Sequence, residues 1–315
     1  MINISILLNQ MIVLFLIICI GYIAYKLDYL DSASTRKLNK LVINITLPAT
    51  ILNSVLTMEQ RPSGGTVVQI FIISLCIYIV MPVICFALIK LIRTPKHLQG
   101  LYTFMLIFSN VGFMGLPIIQ AAFPGAESST AVFYAAILNI IFNCCTFTYG
   151  SVLIGYGSSA KTELRLKNLI SPGVICSLLS ILIYVLDVSL PSPITSTIGA
   201  LSSITTPMAM LLIGATMASM NIKEIFNDRM IYRFSFVKLI VFPVICYPLL
   251  RFFISDPLIR NVFFIELIMP VANTSLIFAT DYELDARSAS RGIFITTFLS
   301  IITIPVYLIL ISHLG

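Results

Sequence analysis

Apolar residues in this chain run on without the alternation that gives soluble helices and strands one dry face and one wet one. They form ten stretches, at 4–26, 36–57, 66–92, 98–122, 130–156, 169–188, 194–220, 231–254, 258–280 and 289–312, joined by short polar connections. A helix needs about twenty apolar residues to cross the hydrocarbon of a bilayer, and each stretch is about that long. The pattern predicts an all-α polytopic membrane protein with ten transmembrane helices. The stretches are numbered below in chain order.

Four stretches carry helix breakers near their middle. The fourth reads Ser109-Asn110-Val111-Gly112-Phe113-Met114-Gly115-Leu116-Pro117. Pro117 has no N–H for the carbonyl of Phe113, and Gly112 and Gly115 let the backbone leave helical geometry nearby. The ninth reads Glu266-Leu267-Ile268-Met269-Pro270-Val271-Ala272-Asn273-Thr274-Ser275. The second holds Asn44 and Pro48, and the seventh holds Pro207. Interruptions thus fall in the second and fourth stretch of each half. Five spans per half is an odd number, so the halves lie in the membrane with opposite orientation. This predicts two inverted five-helix repeats, 1–157 and 158–315, in one membrane domain. Broken helices at matching places in inverted halves point to a midplane binding site. The competing reading is a set of packing kinks with coincidental proline placement.

On the binding-site reading, Asn110, Gly112, Gly115, Pro117, Pro270, Asn273, Thr274 and Ser275 hold a substrate. The starts of the second half-helices would offer free N–H groups and positive dipole ends to a carboxylate. Asn44, Pro48, Asn139, Asn143, Pro207 and Lys238 are candidates for the surrounding cavity. Asn139 and Asn143 lie one helical turn apart and share a face, where they either line a cavity or hold helices together. Glu266 is the one acidic residue well inside a stretch, and a carboxylate at that depth is a functional hypothesis by default. It either couples transport to an ion, pairs structurally with Lys238, or lies shallow at the interface. Lys238 alternatively snorkels to the cytoplasmic surface.

Composition agrees with the pattern. With 58% hydrophobic and 10% charged residues and a mean hydropathy of +1.03, the chain lacks the charge to cover a soluble globule. The formal charge of +6 does not point to nucleic acid, because the basic residues sort by side of the membrane. Sixteen of the 19 Lys and Arg residues lie in or beside the odd-numbered connections: Lys26, Arg36, Lys37 and Lys40; Lys90, Arg93 and Lys96; Lys161, Arg165 and Lys167; Lys223, Arg229, Arg233 and Lys238; Arg287 and Arg291. Arg61, Arg251 and Arg260 lie in the even-numbered ones. The positive-inside rule makes the odd connections cytoplasmic and puts both termini outside.

The first apolar run has no basic residues before it and no small-residue cleavage pattern after it, so it is expected to be a retained span. Asp31 or Ser32 is expected to cap the second helix. The seven cysteines, Cys19, Cys76, Cys85, Cys144, Cys145, Cys176 and Cys246, lack paired ligand spacing and read as small buried hydrophobes. With only His97 and His313 as imidazoles, no metal site is expected. No long linker separates the stretches, and no appended soluble domain is expected.

The chain resembles the auxin efflux carrier family of membrane transporters, whose bacterial members include proteins described as malate and malonate carriers. The resemblance covers nearly the whole chain. It rests on Gly21-Tyr22, Leu38-Asn39-Lys40-Leu41-Val42 and Leu47-Pro48, on Asn110 with Met114-Gly115-Leu116-Pro117, and on Met269-Pro270 with Phe278-Ala279-Thr280-Asp281-Tyr282. It implies inverted five-helix repeats, a fourth and ninth span crossing at the midplane, and a transport part moving against a scaffold, commonly in a homodimer. In the plant carriers the asparagine matching Asn110 helps bind the substrate carboxylate, and Pro117 matches a crossover proline. Ser275 stands where the plant pattern has a second proline, Val271 where it has a glutamine, and the long central loop is missing. Those departures argue against auxin. The fold also resembles the bile-acid sodium symporters, in which a serine-asparagine pair and a ninth-span glutamate bind sodium. Ser109, Asn110 and Glu266 sit at similar places.

The expected function is secondary transport of a small organic anion across the cytoplasmic membrane by alternating access. No cofactor is expected beyond a coupling sodium ion or proton, and the partners are the anion and the lipid bilayer. The alternatives are a solute-sensing protein that binds without transporting, and a sodium-coupled symporter of a larger amphipathic anion. An enzyme is not expected. The acidic cluster Asp281, Glu283 and Asp285, which a metal-dependent transferase would use, lies in a turn beside Arg287 and Arg291 and reads as solvated loop charge.

Overall fold

The structure is a computed structural model that describes residues 4–59, 61–123, 125–158, 170–220 and 228–314. The predicted basic loop at Lys161, Arg165 and Lys167, and Lys223, lie outside the described residues. Among the described residues the chain is helical, with no named strand, and helix occupies part of each of the ten stretches. Among the described residues six helices are long and apolar enough to cross a membrane: Leu8–Lys26, Gly64–Leu91, Ala126–Leu153, Ser192–Ser219, Arg229–Phe253 and Ala286–His313. Large apolar side chains such as Val83, Phe252 and Phe253 stay exposed on their outer faces, as lipid contact allows.

The fourth, fifth and ninth stretches form the centre. Every residue from Leu101 to Val111, from Thr130 to Phe142 and from Ile259 to Ala272 is buried. Around them the first stretch packs along the seventh and the second along the sixth and seventh. The third lies along the fifth, and the eighth along the tenth. The first and seventh approach backbone to backbone. A Cβ on Gly214 would lie 1.9 Å from the carbonyl oxygen of Ile18, and one on Gly21 would lie 2.0 Å from that of Leu211. Only glycine permits that spacing.

Asp31 caps the second helix, accepting from the Ser34 N–H at 2.7 Å. The hydrogen bonds from Ser34 hold its carboxyl below the usual range.

Prolines act differently from one stretch to another. In the second, fourth and eighth stretches a wide π-turn (Val42–Thr46, Val111–Gly115, Val237–Val241) leads into an α-helix with proline at its second position. The turn moves the chain onto i→i+5 bonds, as from Leu116 N–H to Val111 O, and proline then falls where a helix start has spare N–H groups anyway. In the third and eighth stretches the carbonyl stripped by proline is re-bonded from a neighbour. Tyr149 donates to the Tyr78 carbonyl, four residues before Pro82, at 2.9 Å. Tyr307 donates to the Leu239 carbonyl, four residues before Pro243, at 2.8 Å.

Two expectations are corrected. The seventh stretch is not interrupted: Ser192–Ser219 is one helix with an exposed Pro207 inside it. A lone proline frees one carbonyl, which is too little to break a helix packed along its length. Of the cysteines only Cys85 and Cys246 are buried, while Cys19 and Cys76 are exposed on outer faces where lipid serves them as well as core.

Candidate functional site

The fourth stretch is helix over Gln99–Ile107 (4a), extended at Phe108–Asn110, and helical again through the π-turn into Leu116–Ala122 (4b). The ninth is helix over Pro257–Ile268 (9a), unwound, and helical again over Thr274–Asp281 (9b). The two unwound segments meet as a single antiparallel bridge between Ser109 and Val271. Asn110 N–H donates to Pro270 O at 2.8 Å, and Ala272 N–H donates to Phe108 O at 3.3 Å. Groups that leave their helices therefore satisfy each other inside the protein, the condition for unwound backbone at membrane depth.

This exchange strips two helix ends. The carbonyl of Leu106 in 4a would normally take the N–H of Asn110, which is diverted to Pro270. The carbonyl of Leu267 in 9a would take the N–H of Val271, which donates instead to Thr296 Oγ1 at 3.1 Å. Lys238 fills the gap. Its Nζ donates to Leu106 O at 3.0 Å, to Ser109 Oγ at 2.6 Å and, at 3.5 Å, to Leu267 O. Ser109 Oγ passes its own proton toward Leu267 O at 3.3 Å. The ammonium stands 5.1 Å from the centre of the Phe242 ring, and the residue is fully buried. Lys238 thus neither snorkels nor belongs with the loop charges. The π-turn Val237–Val241 carries it into the core, and Pro243 was the sequence signal for that turn.

Glu266 is buried to 1% exposure, and neither carboxyl oxygen has a hydrogen-bond partner among the described residues. It is not paired with Lys238. Its carboxyl group packs against Gly115 in the π-turn of the fourth stretch.

Other polar groups at the crossover also lack partners. Thr274 Oγ1 and Ser275 Oγ at the start of 9b are buried and unbonded among the described residues. Asn110 is buried, and its hydrogen bonds run through the main chain, its carbonyl accepting from Met114 and Gly115. Asn273 is half-buried and likewise engaged through its carbonyl. Pro117 and Pro270 are buried beside these groups, while Gly112 is half-buried with room for a methyl group against Leu47.

The proposed cavity residues are placed less uniformly. Asn139 and Asn143 share a face, but each turns an amide N–H back to its own helix, to Ala135 O at 3.0 Å and Asn139 O at 2.7 Å. Pro48 is buried. Asn44 does not line a buried cavity: it is exposed and bonds back to Lys40 O at 2.7 Å. Sequence reasoning missed Thr296, which holds Val271, and the contact between Thr206 and Gln120 at 2.8 Å, which ties the seventh stretch to 4b.

Two broken helices crossing inside an apolar helical bundle define the class, an integral membrane transporter. Residues 6–308 match the family described as membrane transport protein. The chain belongs to that family, the auxin efflux carrier family that its motifs resemble. An uncharacterized transporter of Methanocaldococcus jannaschii is 25% identical over 95% of this chain and 97% of its own length. One of Methanothermobacter thermautotrophicus is 24% identical over 92% and 94%. The uncharacterized transporter YfdV of Escherichia coli is 23% identical over 75% and 76%.

Proposed function

We propose that the protein is a secondary transporter that carries a small organic anion across the cytoplasmic membrane by alternating access, with the substrate carboxylate held at the crossover of the fourth and ninth stretches. The observation that carries this reading is a pair of buried hydroxyls without a hydrogen-bond partner among the described residues, Thr274 Oγ1 and Ser275 Oγ at the start of 9b, together with Asn110, whose side chain makes no cap bond at the start of the other half-helix. Buried polar groups are ordinarily paired, and helix starts favour anions. A carboxylate entering the crossover would satisfy several of them together.

The architecture that fits this reading is ten transmembrane helices in two inverted five-helix repeats. Packing of the first stretch on the seventh is answered by the sixth on the second. Proline in the third with tyrosine from the fifth is answered by proline in the eighth with tyrosine from the tenth. Such pairs arise when two halves with one internal design face each other. The described basic residues of the odd connections, among them Lys26, Lys40, Lys90, Arg93 and Arg287, favour cytoplasmic placement there and external termini.

The test is uptake of labelled malonate, malate and indole-acetate into liposomes containing the purified protein, beside Asn110→Ala. Uptake of a small dicarboxylate that falls at least tenfold in the variant is the expected result. An anion transported equally well by Asn110→Ala would move the site elsewhere, and failure of every anion would remove the substrate assignment.

A further inference from the structure

The carbonyls of Leu106 and Leu267 and the hydroxyl of Ser109 form the kind of oxygen set that coordinates a coupling cation in transporters with broken helices. Each carbonyl belongs to the next-to-last residue of its half-helix. Each has lost its N–H partner, that of Leu106 to Pro270 across the crossover and that of Leu267 to Thr296 of the tenth stretch. Two helix C-termini also meet here, each equivalent to about half a negative elementary charge. Together they call for roughly one positive charge, and without it the crossing of 4a and 9a would be unfavourable.

We propose that Lys238 is a tethered cation that takes the place of a coupling sodium ion at this crossover, so that the protein assembles and cycles without sodium there. The proposal rests on the crossover being the transport site. The ammonium donates to all three oxygens. The Ser109 oxygen is committed to Nζ at 2.6 Å. The carboxyl of Glu266 stands apart from this set, so the charge answered by Lys238 is that of the backbone. A charge fixed to the chain cannot be released to either side, and it therefore neutralises the crossover in every state of the cycle without contributing an ion gradient.

The experiment uses the purified full chain and needs no substrate. The chain has no tryptophan, so thermal unfolding is followed by circular dichroism in sodium, potassium or choline chloride at equal ionic strength. Wild type is expected to melt at one temperature in all three salts. Lys238→Ala is expected to melt roughly 5 °C lower or more, with part of the loss restored by sodium or methylammonium and none by choline. Should Lys238→Ala not fold, Lys238→Met and the wild-type salt comparison carry the test. A wild type stabilised by sodium over choline, or a Lys238→Met that melts like wild type in every salt, overturns the proposal. Uptake that fails for every anion while this salt pattern holds would sink the organic-anion reading and leave the tethered cation standing.

Discussion

The carboxyl group of Glu266 lies against Gly115, so close that a methyl group on the glycine would sit 2.7 Å from Oε2 and 3.2 Å from Oε1. The glycine in this π-turn is therefore set by its neighbour in the ninth stretch, since its own backbone angles are ones any residue adopts.

Gly115→Ala tests that relationship. Alanine is the better helix former by about 1 kcal/mol, so without the contact the variant would be neutral or stabilised. With it, overpacking is expected to destabilise by about 1–3 kcal/mol. Adding Glu266→Ala should recover about 1 kcal/mol or more of that loss, a coupling measured by a double-mutant cycle on chemical unfolding in detergent. Strictly additive effects would mean that the two groups do not press on each other.

A second prediction concerns the tyrosines that serve stripped carbonyls. Tyr307→Phe removes the donor to Leu239 O and leaves a buried acceptor unmet, at a cost of about 1–3 kcal/mol. Pro243→Ala returns a main-chain N–H within reach of that carbonyl. The double variant should therefore lose less stability than the two single changes added together. A sum that is fully additive would show that the tyrosine hydroxyl serves some other end.

Gly214 gives a third. Its Cβ position lies 1.9 Å from Ile18 O and 2.8 Å from Tyr22 N, both main-chain atoms that cannot rotate away. Gly214→Ala must push the first stretch off the seventh, and a loss of about 3 kcal/mol or more is expected, near the upper end for overpacking. Gly112→Ala, with Leu47 Cδ1 at 3.5 Å as its nearest neighbour, is the control and should stay within about 1 kcal/mol of wild type. Size-exclusion profiles and melting curves of the two variants, expressed alongside wild type, would show the contrast.

These relationships were unequally legible beforehand. That the apolar stretches are helical and membrane-like could be read because a membrane span needs a long apolar run, and the breaks in the fourth and ninth stretches because glycine, proline and amides stand out in such a run. Pro207 was over-read: a proline marks a break only when the freed groups find partners elsewhere, and partners are set by tertiary structure. Lys238 was left open between lining the cavity, pairing with Glu266 and snorkelling, because a lysine following Arg233 near the start of a stretch also looks like a snorkelling residue. The added residue of a π-turn rotates every following side chain, and that shift cannot be seen in hydrophobic periodicity. The freedom of Glu266 from Lys238 was likewise invisible, because it depends on which backbone carbonyls the crossover leaves unmet.

The last prediction separates binding from packing at the start of 9b. Thr274 Oγ1 is buried without a partner among the described residues, a state that lowers stability by about 1–3 kcal/mol relative to an apolar group of the same shape. Thr274→Val keeps the shape and deletes the hydroxyl. The folded protein should therefore be as stable as wild type or more so, by about 1 kcal/mol. If the hydroxyl is held in that state to meet a carboxylate, uptake of the transported anion should fall about tenfold, equivalent to about 1.4 kcal/mol, with the loss appearing as weaker apparent affinity. Ser275→Ala at the next position should behave in the same way. Melting curves and concentration-dependent uptake on the same preparations decide the matter. A more stable Thr274→Val that still transports with wild-type affinity would remove Thr274 from the binding site and return it to helix packing.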